Sequence, residues 1–179
     1  MLVMKMKKKI NELDSKIESL KETVGLMRLK TAIDEAPLSI KIKYFDKEID
    51  KIKKVEKGDW IDLRSAETVK LKKGETALIR LGIGMIIPKG YEANVVARSS
   101  TLGKWGVIQG NCYAVIDNSF SGDGDEWRMS VYAIRDTIIN KNDRLCQFRL
   151  NKVQPEMVFE EVEKLEDKDR GSFGSTGAN

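Results

Sequence analysis

Apolar residues recur along the first part of the chain at a helical spacing. Val3, Ile10, Ile17 and Val24 stand seven apart, and Met6, Leu13, Leu20 and Met27 fill the alternate positions, with charged residues between them. An a/d pattern kept up for about four heptads predicts one amphipathic helix over residues 1–36, ended by Pro37 behind the Asp34-Glu35 pair. Such a stripe serves either a coiled coil, as an assembly or docking element, or a single helix lying on its own domain. β-branched residues at the first heptad position favour two strands in a coiled coil.

Beyond Pro37 the period changes to two. SIKIKYF alternates, as does VKLKKGETALIRLGIGMIIP, which turns at Gly74. YEANVVARSS, GVIQGNCYAVID, WRMSVYAI and DRLCQFRL follow, each bounded by Gly, Asn, Asp or Pro, and MVFEEVEKLE offers one further strand. Many short strands with no helical pattern between them predict an all-β domain over residues 38–165, a sandwich or jelly-roll-like β-barrel. Residues 166–179 are rich in Gly and Ser, with Phe173 and Ala178 as their apolar residues, and predict a flexible arm.

Composition narrows the chemistry. The chain has 179 residues, enough for one substantial core. It contains no histidine, which removes the commonest general base, Ser-His-Asp arrangements and His-containing zinc sites. Cys112 and Cys146 are too few and too far apart for a zinc cluster or a disulfide framework, and read as reduced structural thiols. The net charge is +4, and residues 1–30 account for it, with seven Lys and one Arg against four acids. The β-region is therefore neutral in sum and carries no basic stripe, so no nucleic-acid partner is expected. No apolar run approaches the ~20 residues that span a bilayer, and MLVMKMKKKI lacks the apolar core of a signal peptide. A cytoplasmic protein with no membrane partner is expected.

The remaining chemistry falls to carboxylates, arginines, hydroxyls and backbone groups. Asp117 ends the apolar run NCYAVID, a place where an acid needs a reason to be. Arg98, Ser99 and Ser100 close a strand, where a guanidinium fork beside two hydroxyls suits phosphate oxygens. KNDRLCQFRL supplies Asp143, Arg144 and Gln147, and GDWIDLRSAE sets Asp62 in an apolar bracket, to hold a hydrated metal or to satisfy buried backbone. In RGSFGSTG, Arg170, Ser175 and Thr176 offer a charge and donors, and Phe173 offers a flat face, a mixture that suits a nucleotide. It is not a Walker A loop, because GxxxxGK[ST] is missing.

PKGYEANVVARSS, GN followed closely by VIDNSFSG, DRLCQ and the terminal RGSFGSTG, preceded by GDWIDLRSAE, resemble the motifs of the dUTPase family in content and order, from about residue 40 to the C-terminus. GDWIDL, RSST, GVIQ and DRLCQFR look especially like the forms found in Bacillus and its prophages. The resemblance implies hydrolysis of dUTP to dUMP and diphosphate, which keeps uracil out of DNA and supplies dUMP for thymidylate synthesis. It implies Mg²⁺ on the triphosphate and a homotrimer in which three chains share each site.

By motif match, Asp117 orients and deprotonates the water that attacks the α-phosphorus. A carboxylate of ordinary pKa is a feeble base, so the resemblance leads to the expectation that Asp117 gains basicity from burial. Arg98, Ser99, Ser100 and Gln147 hold the phosphates, and Asp62 reaches the metal through water. Asn111 and the hairpin through Tyr113, Val115 and Ile116 to Asp117 read uracil, Phe120 lies under the deoxyribose, and Arg170, Phe173, Ser175 and Thr176 close over the nucleotide. Ala114 and Phe120 replace the family's usual Gly and Tyr, the acidic turn SGDGDE is longer, and the last motif is about two residues shorter. Two alternatives stand beside this reading. A dCTP deaminase shares RSS and ID motifs, but places a catalytic Glu where this chain has Ser130. A regulatory dUTPase-like binding protein would use the N-terminal helix to dock a partner.

Overall fold

The computed structural model describes residues 2–35, 37–53 and 58–165. The heptad segment forms one helix, α1 (Leu2–Glu35), followed among the described residues by eleven strands and one short second helix. Every described residue of the apolar stripe from Met6 to Met27 is at least 45% exposed, so the single chain does not bury that stripe on its β-domain. No helix among the described residues is long and apolar enough to cross a membrane.

The strands are β1 (Lys41–Tyr44), β2 (Ile61–Arg64), β3 (Val69–Leu71), β4 (Thr76–Arg80), β5 (Ile83–Ile86) and β6 (Tyr91–Ala97), then α2 (Thr101–Trp105), β7 (Val107–Gln109), β8 (Ala114–Ile116), β9 (Arg128–Ala133), β10 (Thr137–Ile139) and β11 (Arg144–Lys152). All the described pairings are antiparallel. They group the strands as β2-β11-β6-β8, β4-β9-β7, β1-β5 and β10-β3. The expected all-β architecture is present, but hydrogen bonding does not close it into one barrel. The strands are short and change partners at bends, and β11 shifts register against β2 between Arg144 and Cys146.

Period two decides which residues enter the core. On β9, Met129, Val131 and Ala133 are buried while Arg128 and Tyr132 are exposed. Trp127 and Phe148 meet edge to face with ring centroids 5.4 Å apart, in a core that also includes Leu63, Ile79 and Leu145. Cys146 is buried there as a free thiol, its pKa pushed up by burial and by nearby Asp62. Gly74 makes the expected turn between β3 and β4 at φ +89°, a backbone conformation that side chains other than glycine rarely adopt.

Three elements differ from the sequence pattern. In MVFEEVEKLE the described residues, 157–165, form no strand, and Val158 and Phe159 stand exposed there, because no described strand accepts their backbone. β10 and α2 are too short for a periodic signal to mark. α2 ends at Gly106, whose φ of +61° caps it, with the Gly106 N–H donating to the Leu102 carbonyl at 2.7 Å.

Candidate functional site

Adjacent strands assemble the first half of the site. Gln147 on β11 lies opposite Asp62 on β2 and opposite Val96 on β6. Directly opposed residues share a face of the sheet, and Arg98, two positions past Val96, continues that face. Asp62 then holds two guanidinium groups. Arg98 Nε donates to Oδ1 at 2.7 Å and Arg144 Nη1 donates to Oδ2 at 3.1 Å. One carboxylate between two arginines leaves an excess of positive charge, with Ser99 and Ser100 exposed just beyond. This arrangement suits a polyanion. The sequence marked Asp62, Arg98 and Gln147 as separate elements. Arg144 belongs with them through the β2–β11 pairing, which motif spacing alone does not reveal.

No group of three or more Cys, Asp or Glu among the described residues could hold a metal ion. Asp62 has both carboxylate oxygens engaged by arginine. Such a donor set offers no protein cage. It fits a hydrated Mg²⁺ carried on a ligand's own phosphates, with protein carboxylate reached through water.

The second half is an open cleft of about 620 Å³ lined by Asn111, the β8 residues, Asp117, Ser119 and Phe120, with Glu126 and Trp127 behind them. β8 is the edge strand of its sheet, paired with β6. Its outer backbone edge is therefore open to a hydrogen-bonding ligand. In the tight turn before it the Cys112 N–H donates to the Gln109 carbonyl at 3.1 Å, and Cys112 itself sits in the left-handed region at φ +54°. Tyr113, Val115 and Phe120 are exposed along this edge.

Asp117 is exposed in the single chain, contrary to the expectation of burial. Its Oδ1 accepts from Ser119 Oγ at 2.5 Å and from the Ser119 N–H at 2.8 Å. The Ser119 hydroxyl, then the Ser119 N–H, hold its pKa below the ordinary carboxyl value, against a smaller opposing effect of desolvation. The acid is thus kept as an oriented carboxylate rather than tuned upward. Activity that needs this carboxylate survives mild acid and is lost only as pH falls through its lowered pKa. Ser119→Ala removes the first of these donors and moves the acid limb of kcat/KM upward. The substrate's own titration is common to both proteins, so comparing their pH profiles isolates Asp117; superimposable limbs would show that Ser119 does not control it.

Glu126 is the other carboxylate lining this cleft, and both its oxygens are occupied, by Arg80 Nε at 2.9 Å and the Gly82 N–H at 3.1 Å. Ser130 lies half-buried on β9. Arg170, Phe173, Ser175 and Thr176 lie outside the described residues.

The two halves sit at opposite ends of β6. Ile116 pairs with Ala93, so Asp117 lies level with Glu92, six residues from Arg98. At about 3.3 Å per residue that is roughly 20 Å along the strand. A single chain does not bring its own Asp117 to its own Arg98.

A sequence model of the dUTPase family matches residues 49–177. The chain is 54% identical over 140 residues to the SPbeta prophage-derived deoxyuridine 5'-triphosphate nucleotidohydrolase YosS of Bacillus subtilis, covering 78% of this chain and 99% of that protein. It is 37% identical over 123 residues to the deoxyuridine 5'-triphosphate nucleotidohydrolase of Finegoldia magna, covering 65% of this chain and 83% of the other. Among solved structures, a dUTPase of phage phi11 of S. aureus, described with a structural Mg(II) ion, superimposes with a TM-score of 0.63 at 18% identity, covering 73% of this chain and all of that one. A Staphylococcus bacteriophage 80alpha dUTPase with dUpNHpp gives a TM-score of 0.63 at 20% identity, covering 79% and 99%. At such identities these structures speak for the fold alone.

Proposed function

The chain belongs to the dUTPase family and hydrolyses dUTP, and from that premise we propose that Asp117 directs a water onto the α-phosphorus, releasing dUMP and diphosphate. The observation that carries this reading is the pair of half-sites. An oriented carboxylate stands beside an open strand edge at one end of β6, and an arginine-rich cluster stands at the other.

In this mechanism the outer edge of β8, from Tyr113 through Val115 and Ile116, and Asn111 hydrogen-bond the uracil edge. Cytosine fails there because its exocyclic amino group presents the wrong polarity. Phe120 lies under the deoxyribose and leaves no room for a 2′-hydroxyl. Losing the phenolic hydroxyl of the family's usual Tyr keeps the stacking surface and removes one hydrogen bond. Arg98, Ser99, Ser100 and Gln147 hold the phosphates, and Asp62 fixes the angle of both guanidinium groups. Mg²⁺ would neutralise charge on the triphosphate, and Asp62 would be the residue that reaches it through water.

Asp117 contributes orientation more than basicity, since its pKa is depressed. Most of the rate then comes from in-line positioning and charge neutralisation.

Because roughly 20 Å separates the half-sites on one chain, a homotrimer with shared sites supplies what the single chain lacks: Asp117 of one subunit meets Arg98 of another. The arm over residues 166–179 closes over the nucleotide, with Phe173 on the base and Arg170, Ser175 and Thr176 on the phosphates. The reaction belongs in the cytoplasm, where nucleotide pools are made. A dCTP deaminase does not fit, because Ser130 replaces its essential acid and Glu126 is already bound to Arg80.

The purified protein with Mg²⁺ converts dUTP to dUMP and diphosphate, and dTTP, dCTP and UTP are poor substrates. Release of ammonia from dCTP in place of diphosphate from dUTP would contradict this function. Deleting residues 170–179 removes the Arg170 charge and the arm hydroxyls. A charge-assisted hydrogen bond is worth about 1.5–3 kcal/mol, so kcat/KM falls roughly tenfold to a hundredfold while the thermal midpoint stays unchanged. An unaffected rate would reduce the arm to a linker.

A further inference from the structure

β7 buries Val107 in the ordinary way but departs from the usual choice of side chains at its end. Its apolar Ile108 is exposed, and its polar Gln109 is turned inward, only 4% exposed. An amide buried on a strand needs partners, and one of its atoms has none, for Gln109 Oε1 accepts no hydrogen bond. Leucine or methionine would fill the same space without an orphaned oxygen. What the amide gains in the core therefore lies in its nitrogen.

Gln109 Nε2 donates to the Val95 carbonyl at 3.0 Å and to Asn111 Oδ1 at 3.2 Å. The polarity of this chain of bonds is forced from one end. A backbone carbonyl can only accept, so the amide nitrogen of Gln109 must face Val95. Its second N–H then faces Asn111, whose oxygen must accept it. Turning the Gln109 amide over would set its oxygen against the Val95 carbonyl. Asn111 is left with the two N–H donors of Nδ2 to serve the cleft it lines.

We infer that Gln109 is a positioning residue that fixes the amide of Asn111 donor-outward, and so selects uracil over cytosine. The inference rests on Asn111 contacting the base, as assigned above. A donor suits the O4 carbonyl of uracil and clashes in polarity with the 4-amino group of cytosine, which itself donates. The backbone anchor at Val95 lies on β6, the strand against which β8 is paired through Val95 and Ala114. Gln109 thus ties the base-reading turn to the frame that carries the strand edge.

The test compares kcat/KM for dUTP and dCTP in the full-length protein and two variants. In Gln109→Glu, a buried carboxyl stays protonated: its O–H donates to the Val95 carbonyl and its C=O accepts from Asn111 Nδ2. Asn111 then turns its oxygen to the cleft, and the dUTP:dCTP ratio falls by at least about tenfold, the change expected from exchanging one hydrogen bond for a mismatch. Gln109→Met removes the orienting donor without reversing it, and the ratio falls by less.

A residue that merely packed the core would lower both substrates together, so a ratio unchanged in both variants overturns the inference. The wild-type rate on dUTP tests the reaction itself and is read separately. Side-chain amide NMR of the wild-type protein needs no variant to fold. Without nucleotide, the Gln109 Nε2 protons are protected from exchange and those of Asn111 exchange freely, and dUMP then protects the latter. Protected Asn111 protons in the free protein would show the opposite polarity and refute the assignment.

Discussion

Asp117→Asn removes turnover of dUTP, by about 10³-fold, within the 10²–10⁴ range typical when a general base is lost, while dUTP still binds measurably. The amide keeps the size of the side chain and can still accept from Ser119. What it loses is the negative charge that draws a proton from the attacking water and points that water's lone pair at phosphorus. The depressed pKa of Asp117 means that the wild-type group is fully ionised at neutral pH, so the substitution removes the active form from every molecule. Rapid-quench turnover together with titration calorimetry separates the two effects. A retained kcat would place the base elsewhere.

Arg98→Ala lowers kcat/KM by about 10²–10³, the range found when a single donor to a developing anion is removed. The change has two components. The triphosphate loses a charged fork, and Asp62 loses its 2.7 Å partner and keeps only Arg144. Arg98→Lys recovers charge but not the planar fork that engages Asp62 through Nε and the Arg144 carbonyl through Nη1. It should restore only a small part of the rate, and full recovery would show that charge alone matters.

The same two variants test whether sites are shared. Chains carrying Asp117→Asn, unfolded and refolded together with chains carrying Arg98→Ala, form some sites with both residues intact if the two come from different subunits. Activity then reappears on mixing. If one subunit supplied both, every site would keep one defect and the mixture would stay inactive.

Much of this organisation was legible in the sequence, and the parts that were not share a physical cause. The heptad spacing from Val3 to Met27 reads directly as a helix because helical periodicity is a local property of the chain. The alternation on β9 reads as a half-buried strand for the same reason. The ordered motifs around Arg98, Asp117 and Gln147 identify the family because each is a contiguous stretch.

Long-range pairing is different. Arg144 meets Asp62 because β11 pairs with β2 across a register shift, and neither stretch encodes that meeting by itself. Gln109 looks like an ordinary strand residue until β7 turns it inward beside Val95 and Asn111. The exposure of Asp117 was missed because a run of apolar residues before an acid suggests burial, whereas β8 ends at a sheet edge. MVFEEVEKLE had the composition of a strand but no partner to pair with.

The most direct measurement follows oxygen. When dUTP is turned over in water enriched in ¹⁸O and the products are separated by mass spectrometry, attack at the α-phosphorus directed by Asp117 puts the label in dUMP and leaves the diphosphate unlabelled. Label in the diphosphate would mean that water attacks the β-phosphorus, and would contradict the role assigned to Asp117.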